Sequence, residues 1–225
     1  GFATAAGDCD DGNASVSPGA TEACNAIDDD CDGGSDEGAT SLCPSRPNSQ
    51  PVCTSGACTY ICAPGFVDCN GNPVDGCETN LNFSPGCSTA VNGGSFPGDT
   101  GTATAVRNGV GDAVFTFTAR EEASLSCEDT KVMFELLVPP GVNYDLTVRC
   151  NSCGGLPLTS NGGPGAIDRV SAVNDESCVL GAGDGRDQTF TAVVEVRWVS
   201  GESCQPWELR AHFNRTPAGP VANCN

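Results

Sequence analysis

The chain has 225 residues, and its 29 acidic against 10 basic residues give a formal net charge of −19. So much negative charge excludes the basic surfaces that bind nucleic acid or an anionic membrane. No apolar run approaches the roughly 20 residues that span a bilayer, so we expect no membrane span.

Cysteine is unusually frequent, with 16 residues in the chain. A high and even number is typical of an oxidising compartment, where disulfides persist. No signal peptide opens the sequence at Gly1, and we expect one to have been removed from a secreted or cell-surface protein. We predict that every cysteine is disulfide-bonded, with the pairing left open: Cys9, Cys24, Cys31, Cys43, Cys53, Cys58, Cys62, Cys69, Cys77, Cys87, Cys127, Cys150, Cys153, Cys178, Cys204 and Cys224.

The first 90 residues are poor in large apolar side chains. They hold ten of the cysteines and thirteen acidic residues, but only Phe2, Phe66 and Phe83 among the phenylalanines. Such a segment buries too little apolar surface to fold alone. We therefore predict that disulfides or metal ions hold it together.

The segment NAIDDDCDGGSDEG, residues 25–38, carries six acidic residues and no basic one. Asp28, Asp30 and Asp32 alternate and Gly33 follows, as in the D-x-D-x-D-G opening of a calcium loop. Calcium is a hard cation that takes six to eight oxygen ligands, and alternate residues of a tight loop aim their carboxylates at one point. The pattern therefore predicts a calcium site.

The second half of this segment departs from an EF-hand loop. Asp36 stands at the ninth position, but Ala39 occupies the twelfth, where an EF-hand has a bidentate Glu, and Glu37 comes too early. The missing oxygens must come from elsewhere in the chain. The upstream segment GDCDDGNASVSPGATE offers Asp8, Asp10, Asp11, Asn13 and Glu22.

The cysteines are interleaved with these acidic residues. A bond between two of Cys9, Cys24 and Cys31 would bring the two acidic segments together. The alternative is a solvated acidic loop that only increases solubility. The cysteines favour the metal site, because they fix the carboxylates in place without relieving their repulsion.

A third polar segment, GFVDCNGNPVDGCETNLN, repeats the alternation with amides in place of some carboxylates. Two interpretations stay open. It is a second, weaker calcium site, or it is an Asx-rich turn whose side chains bond to their own backbone. Its candidate ligands are Asp68, Asn70, Asn72, Asp75 and Glu78.

Residues 8–38 resemble the metal-binding motif of MopE-like secreted and surface proteins of myxobacterial type. The shared pattern runs D-C-D-D at the start, P-G-A-x-E in the middle and D-C-D-G-x-x-D-E-G at the end. Asn13 and Asp29 stand where the motif usually has Asp and Asn, and Ala26 replaces a Gly. The resemblance implies these metal ligands: Asp8, Asp10, Asp11, Asn13, Glu22, Asp28, Asp30, Asp32, Asp36 and Glu37.

Members of this family are associated with copper or calcium. The candidate ligands here are all hard oxygen donors, and the single His and single Met lie far away in sequence. Calcium therefore fits better than copper as the cofactor. The next stretch, residues 53–81, looks like a Cys-rich module that often follows the motif, and it is similar to EGF-like domains.

The second half of the chain alternates with period two in DAVFTFTA, NYDLTVRC, QTFTAVVEVRWVS and PWELRAHFN. This pattern predicts half-buried strands of a mostly β fold, an antiparallel β-sandwich of jelly-roll type. Thr191, Glu195 and Arg197 are predicted to face outward. The predicted inward residues are Ala113, Phe115, Phe117, Ala119, Tyr144, Leu146, Val148, Cys150, Phe190, Ala192, Val194, Val196, Trp198, Trp207, Leu209, Ala211 and Phe213. The run VPPGVNYDLTVRC is similar to bacterial pre-peptidase C-terminal-like sandwiches, which implies a non-catalytic accessory or adhesive module.

No catalytic constellation emerges from the sequence. His212 falls on the outward side of its strand, and Lys131 lies in a strand pattern without a serine partner. Cys150 and Cys153 have C-x-x-C spacing but lack further zinc ligands, so we predict that they form a structural disulfide. We therefore expect that this chain is not an enzyme.

Three domains follow: an acidic calcium-binding motif at 1–42, a Cys-rich EGF-like module at 43–90 and a β-sandwich at 98–225, with a Gly/Ser/Pro-rich boundary at 87–97. We expect a non-enzymatic structural protein of a bacterial cell-surface or extracellular assembly, such as a fibre. Its partners would be copies of itself or other surface proteins, and the apolar segment GFATAA could dock by strand addition. The alternative is a carbohydrate- or substrate-binding accessory module of a secreted hydrolase.

Overall fold

The computed structural model describes residues 7–83, 85–122, 128–175 and 186–225. The chain forms two compact units, Gly1–Thr79 and Asn80–Asn225. Nearly all of the regular structure is β-strand, which confirms the predicted fold class. The segment GFATAA and the predicted disulfide cysteines Cys127 and Cys178 lie outside the described residues.

The first unit has little regular structure. A 3-10 turn, Ala39–Leu42, precedes a hairpin of β1, Ser49–Thr54, and β2, Ala57–Cys62. A short pair of β3, Phe66–Val67, and β4, Thr79–Asn80, follows. Among its described apolar residues, those that are fully buried are Val16, Ala39, Cys43 and Cys77. The expected shortage of apolar core is confirmed.

Disulfides replace the missing core in this unit. The bonds join Cys9 to Cys31, Cys24 to Cys53, Cys43 to Cys58 and Cys62 to Cys77. Cys69 is also disulfide-bonded. The bond of Cys24 ties the acidic segment to the β1–β2 hairpin, so the loop and the hairpin are covalently one body.

The second unit is a β-sandwich of two five-stranded sheets with the orders β10-β9-β12-β7-β5 and β14-β11-β8-β13-β6. Neighbouring strands are antiparallel, except that β5 pairs with β7 and β14 with β11 in parallel at the sheet edges. The strands are β5 Val91–Pro97, β6 Ala103–Gly109, β7 Ala113–Arg120, β8 Thr130–Leu137, β9 Asn143–Cys150, β10 Leu158–Ser160, β11 Ile167–Asn174, β12 Phe190–Ser200, β13 Trp207–Phe213 and β14 Val221–Asn223.

One apolar core lies between the two sheets. All of the predicted inward residues of β7, β9, β12 and β13 belong to it or pack against it. The ring of Phe117 is fully buried, with centroid distances of 5.4 Å to Phe134 and 6.5 Å to Phe213. Trp207 is also buried, and its indole Nε1 donates a 2.8 Å hydrogen bond to the carbonyl of Gly111.

The Gly-rich segment at residues 87–97 is part of the sandwich. It contains β5, and Cys87 is bonded to Cys153. A side chain at Gly93 would collide with the ring of Phe117, so this glycine serves close packing. The segment that the sequence marks as a boundary therefore lies within the second unit.

Cys150 and Cys153 are disulfide-bonded, but not to each other. Cys153 pairs with Cys87, and Cys150 pairs with the buried Cys224. The latter bond pins the C-terminal segment within the chain. Cys204 is also disulfide-bonded, and no described cysteine is free. Across the described ranges, no helix is long and apolar enough to cross a membrane.

Two residues predicted to be surface residues are buried. Glu195 faces away from the core, but it is only 7% exposed, because Arg149 and Arg197 pair with its carboxylate. His212 is also 7% exposed, with its Nδ1 3.0 Å from Oγ1 of Thr104. Arg149 of β9 contacts Glu195, and Thr104 of β6 and Glu135 of β8 contact His212. Alternation along one strand does not reveal such contacts.

A pH-dependent ion-pair cluster lies on the outer face of the second sheet. Arg169 donates to Oε1 of Glu135 from Nε at 2.9 Å and from Nη2 at 2.6 Å. Burial acts to raise the pKa of Glu135, but the hydrogen bond and charge of Arg169 outweigh it. The charges of His212 and Arg210 add to this effect, so the pKa of Glu135 lies below its ordinary value.

We therefore expect the variant Glu135→Gln to melt at a lower temperature than the parent protein at pH 7. Because the folded-state pKa is depressed, this stabilisation is present above the unfolded pKa of about 4.3 and is lost as pH falls through the lower folded value. Thermal unfolding followed by tryptophan fluorescence at pH 7, 5 and 3 measures it. A melting difference that stays constant across this range would contradict the ion-pair explanation.

Candidate metal centre

The two acidic segments of the first unit are held side by side. The Cys9–Cys31 disulfide joins them, with 5.7 Å between the Cα atoms. The backbone N–H of Ser17 donates to the carbonyl of Asp29 at 2.8 Å. The Cys9–Cys31 disulfide is thus one of the pairings that the sequence left open. The third cysteine, Cys24, bonds to Cys53 instead.

Five carboxylates of the loop form two overlapping groups of three. Oxygen atoms of Glu22, Asp28 and Asp30 lie within 4.8 Å of one another, and so do those of Asp30, Asp32 and Glu37. Because Asp30 belongs to both groups, the five form one continuous cluster. We call these five residues the loop cluster.

Backbone N–H groups orient the alternating aspartates. Asp28 accepts from the N–H of Asp32 at 3.2 Å and from the N–H of Gly33 at 3.0 Å. Asp30 also accepts from the N–H of Asp32, and Asp32 accepts from the N–H of Gly34. Gly33 has a φ of 100°, which a residue with a side chain rarely adopts. The tight turn therefore keeps the carboxylates on one side, as the sequence spacing indicated.

Glu22 organises the loop from inside. It is 6% exposed, and its Oε1 accepts from the N–H groups of Asp29 and Asp30 at 2.7 and 3.0 Å. Its Oε2 accepts from the N–H of Asp36 at 2.7 Å. The predicted ligand Glu22 is thus a member of the loop cluster that is also a structural anchor.

Asp36, the predicted ninth-position ligand, contacts backbone instead. Its Oδ1 accepts from the N–H groups of Asn25 and Ala26, at 2.8 and 2.9 Å. Its Oδ2 accepts from the N–H of Gly56 at 3.0 Å. The bonds from Ala26 and Asn25, followed by that from Gly56, lower the pKa of Asp36. The structure does not bring Asp36 into the loop cluster.

Sequence reasoning missed the role of Asp29. This residue is 4% exposed, and its Oδ2 accepts from the N–H of Ala23 at 2.9 Å and from Nδ2 of Asn25 at 3.0 Å. The only signal in the sequence was that Asp29 stands where the motif usually has Asn. An Asn side chain also carries an oxygen that can accept such bonds, so the position is structural.

Apart from Glu22, the upstream candidates are not members of the loop cluster. Asp8, Asp10 and Asn13 each accept from the backbone N–H two residues ahead, at distances between 2.9 and 3.1 Å. Asp11 is exposed. None of the three aspartates belongs to a described group of three convergent carboxylates. Their contacts are those of local Asx turns.

The third polar segment closes on itself in the same way. Asp68, Asn70 and Asn72 accept from backbone N–H groups within the segment, at 2.6, 2.7 and 3.2 Å. Glu78 accepts from the N–H groups of Cys69 and Asn70, and Asp75 accepts from Nδ2 of Asn70 at 3.0 Å. In the described chain, no three of these acidic groups converge as they do in the loop cluster.

The carboxylates of the loop cluster repel one another. Desolvation, followed by the charge of Asp32, raises the pKa of Asp30, and the charges of Glu22 and Asp28 add to it. The backbone N–H of Glu37 lowers the pKa of that side chain, but desolvation, a hydrogen bond to Asp32 and neighbouring charges raise it overall. A bound cation would supply the counter-charge that this cluster lacks.

The donor set favours a hard metal ion. Every group in the loop cluster is a carboxylate. The cysteines that lie near one another in this unit, Cys24, Cys43, Cys53 and Cys58, are all in disulfides and offer no thiolate. Oxygen-only sites suit calcium, magnesium or manganese, whereas copper prefers nitrogen and sulfur ligands.

A family model named Cu-binding_MopE and described as “Putative metal-binding motif” matches residues 8–37. No curated protein matches the sequence. The matched range contains the Cys9–Cys31 disulfide and the whole loop cluster. Residues 8–37 of this chain therefore carry the metal-binding motif of that family, as their resemblance implied.

Proposed function

We propose that this chain is a non-enzymatic structural protein of a bacterial cell-surface or extracellular assembly, in which calcium and disulfides staple the N-terminal unit. The loop cluster carries the proposal. Five convergent carboxylates sit on a disulfide-clamped loop of a unit that has almost no apolar core. A site of this kind stabilises a fold when a cation occupies it.

Calcium is the cation that the loop cluster suits best. The ligands would be carboxylate oxygens of Asp28, Asp30, Asp32 and Glu37. Glu22 would hold the loop through the backbone hydrogen bonds that it accepts. Calcium takes six to eight oxygens in flexible geometry, so water and backbone carbonyls can complete its shell. Copper, which the family model's name suggests, would find no imidazole, thiolate or thioether among these five residues.

The disulfides support an extracellular location. Small units held by disulfides rather than by apolar burial are typical of secreted proteins. Covalent and ionic staples also resist local opening, which suits a structural role outside the cell. Copies of this chain, or other surface proteins, would be its partners.

The aromatic residues do not favour the accessory-module alternative. A carbohydrate-binding surface uses exposed aromatic rings, but Trp207 is 1% and Tyr144 is 2% exposed. Trp198 packs against the core, and its Nε1 donates to the carbonyl of Gly201 at 2.9 Å. These three of the chain's four Trp and Tyr residues are therefore engaged in the fold.

The proposal predicts a calcium-dependent assembly. Native mass measured under non-reducing conditions should show a large species in calcium that dissociates after EDTA treatment. The variant Asp28→Asn/Asp30→Asn/Asp32→Asn, called the loop variant below, should remain small in both conditions. A parent protein that is monomeric in both would contradict the assembly role and turn attention to glycan binding.

A further inference from the structure

At one end of the sandwich core, the inward positions change from apolar to oxygen-bearing residues. Glu121 continues the alternation of β7 two residues after Ala119, and Gln188 precedes the inward Phe190 of β12 by two. Thr130 opens β8 on the side of its buried inward residues. Because Phe190 lies opposite Ala119 in the β7–β12 register, Glu121 and Gln188 are neighbours just beyond it.

Three buried oxygen atoms at this end have no hydrogen-bond partner in the described chain. They are Oε1 of Glu121, Oε1 of Gln188 and Oγ1 of Thr130. Gln188 is 4% exposed and Thr130 is fully buried. Buried polar atoms are nearly always satisfied, so three orphans in one region require an explanation.

Other contacts bring these residues together from both sheets. Oε2 of Glu121 accepts from the N–H of Gln188 at 2.7 Å. Asn174 of β11 donates from Nδ2 to the carbonyl of Gln188 at 3.1 Å. Asn174 is also the register partner of Thr130 in the β8–β11 pair. The three orphan oxygens therefore belong to one polar layer that closes the core.

This layer is held in place by hydrogen bonds around it. The N–H of Glu121 donates to Oγ1 of Thr189 at 3.0 Å. The next N–H, that of Glu122, donates to both carboxylate oxygens of Asp99, which is 3% exposed. The backbone on both sides of the Glu121 side chain is thus fixed, and its Oε1 is left without a partner.

We propose that Glu121, Gln188 and Thr130 form a cation site at the end of the sandwich, separate from the loop cluster. Their orphan atoms are a carboxylate, an amide and a hydroxyl oxygen, which are ligands for a hard cation of the calcium class. A single water can donate to Glu121 and Gln188 and accept from the Thr130 hydroxyl, but it supplies no counter-charge to the Glu121 carboxylate, whose Oε1 is buried. A cation contacts all three oxygens and neutralises the charge, with water completing its shell.

The test uses the loop variant, because it removes three of the five carboxylates of the loop cluster and leaves the sandwich unchanged. Both tryptophans, Trp198 and Trp207, lie in the second unit, so their fluorescence follows the sandwich alone. We expect millimolar calcium to raise the melting temperature of the loop variant by this readout. Adding Glu121→Gln should abolish the shift, whereas adding Glu122→Gln, the exposed neighbour, should leave it unchanged.

A second variant keeps the proposal testable if Glu121→Gln does not fold. Gln188→Glu adds a carboxylate to the site and should tighten calcium binding at least tenfold, with stabilisation only when calcium is present. If the Gln188→Glu variant is destabilised both with and without calcium, then water or a flipped side-chain amide of Gln188 satisfies the three orphan oxygens. That result would overturn the proposal, and so would a loop variant whose sandwich melts identically with and without calcium.

Discussion

Replacing Asp28, Asp30 and Asp32 with asparagine should weaken calcium binding to the first unit by at least 100-fold, which corresponds to about 2.7 kcal/mol. Each substitution removes a negative charge from the loop cluster, in which these three residues and two glutamates converge. Asparagine keeps an oxygen at the same position. Asparagine at position 28 loses one of the two bonds that Asp28 accepts, but the N–H groups of Asp32, Gly33 and Gly34 each keep one acceptor, on the side chains at positions 30, 28 and 32. The loss therefore reports charge and ligation rather than unfolding.

Isothermal titration of the full chain with calcium measures this effect. A matched control removes three charges from exposed positions of the second unit, Glu122, Glu128 and Glu202, by substitution with glutamine. The control should bind calcium at the loop like the parent, because these exposed residues are not in the loop cluster and salt screens charges in solvent. Equal affinity of the loop variant and the parent would contradict the site. If copper binds at the loop cluster and calcium does not displace it, the choice of calcium as the metal is wrong.

The sequence predicts part of the loop cluster and misses its scaffold. Alternation at Asp28, Asp30 and Asp32 is a local pattern, and the structure does bring these carboxylates together. Asp36 fits the same spacing, but it accepts hydrogen bonds from Gly56, which is 20 residues away in the chain. Gly56 lies in the β1–β2 hairpin, so the spacing of residues within the acidic loop does not reveal it as a partner of Asp36. The anchoring role of Glu22 is hidden because it accepts from backbone N–H groups 7, 8 and 14 residues away, and spacing alone does not show how the loop closes around it.

The sequence predicts which face of each strand in the sandwich is buried, but it does not predict the order of the strands in each sheet. Period-two alternation shows which side of a strand is buried, and Phe117, Val194 and Leu209 lie in the core as predicted. Alternation does not say which strand lies beside which, so the parallel edge strands β5 and β14 were not foreseen. The burial of Glu195 and His212 likewise depends on side chains from neighbouring strands.

Disulfide pairing lies beyond sequence reasoning for a combinatorial reason. Even a few cysteines allow many connectivities, and proximity in sequence is a poor guide to which forms. Cys150 and Cys153 illustrate this, since they are close in sequence but bond to Cys224 and Cys87 respectively. Cys150 ends β9, and its partner Cys224 follows β14 of the opposite sheet, so the fold and not the sequence spacing determines this pair.

Reducing all disulfides should unfold the first unit and leave the strands of the sandwich folded. Four disulfides join described cysteines within the first unit, with sequence separations of 22, 29, 15 and 15 residues. Closing a 15-residue loop contributes about 3 kcal/mol in the chain-entropy model. Together, the bonds exceed the lower end of the 5 to 15 kcal/mol that typical domains have in total. The described part of this unit buries few apolar residues, so little remains to hold it.

Hydrogen exchange followed by mass spectrometry separates the two responses within one molecule. After reduction and alkylation, peptides from residues 7–79 should exchange at the rate of an unfolded chain, with calcium as well as without it. Peptides from β7, β8 and β12 should stay protected, because their core is apolar and continuous between the sheets. Protection that persists in residues 7–79 would show that the loop and hairpin fold without their staples. Loss of protection in all three core strands would show that the sandwich also depends on its disulfides, through Cys150–Cys224 or Cys87–Cys153.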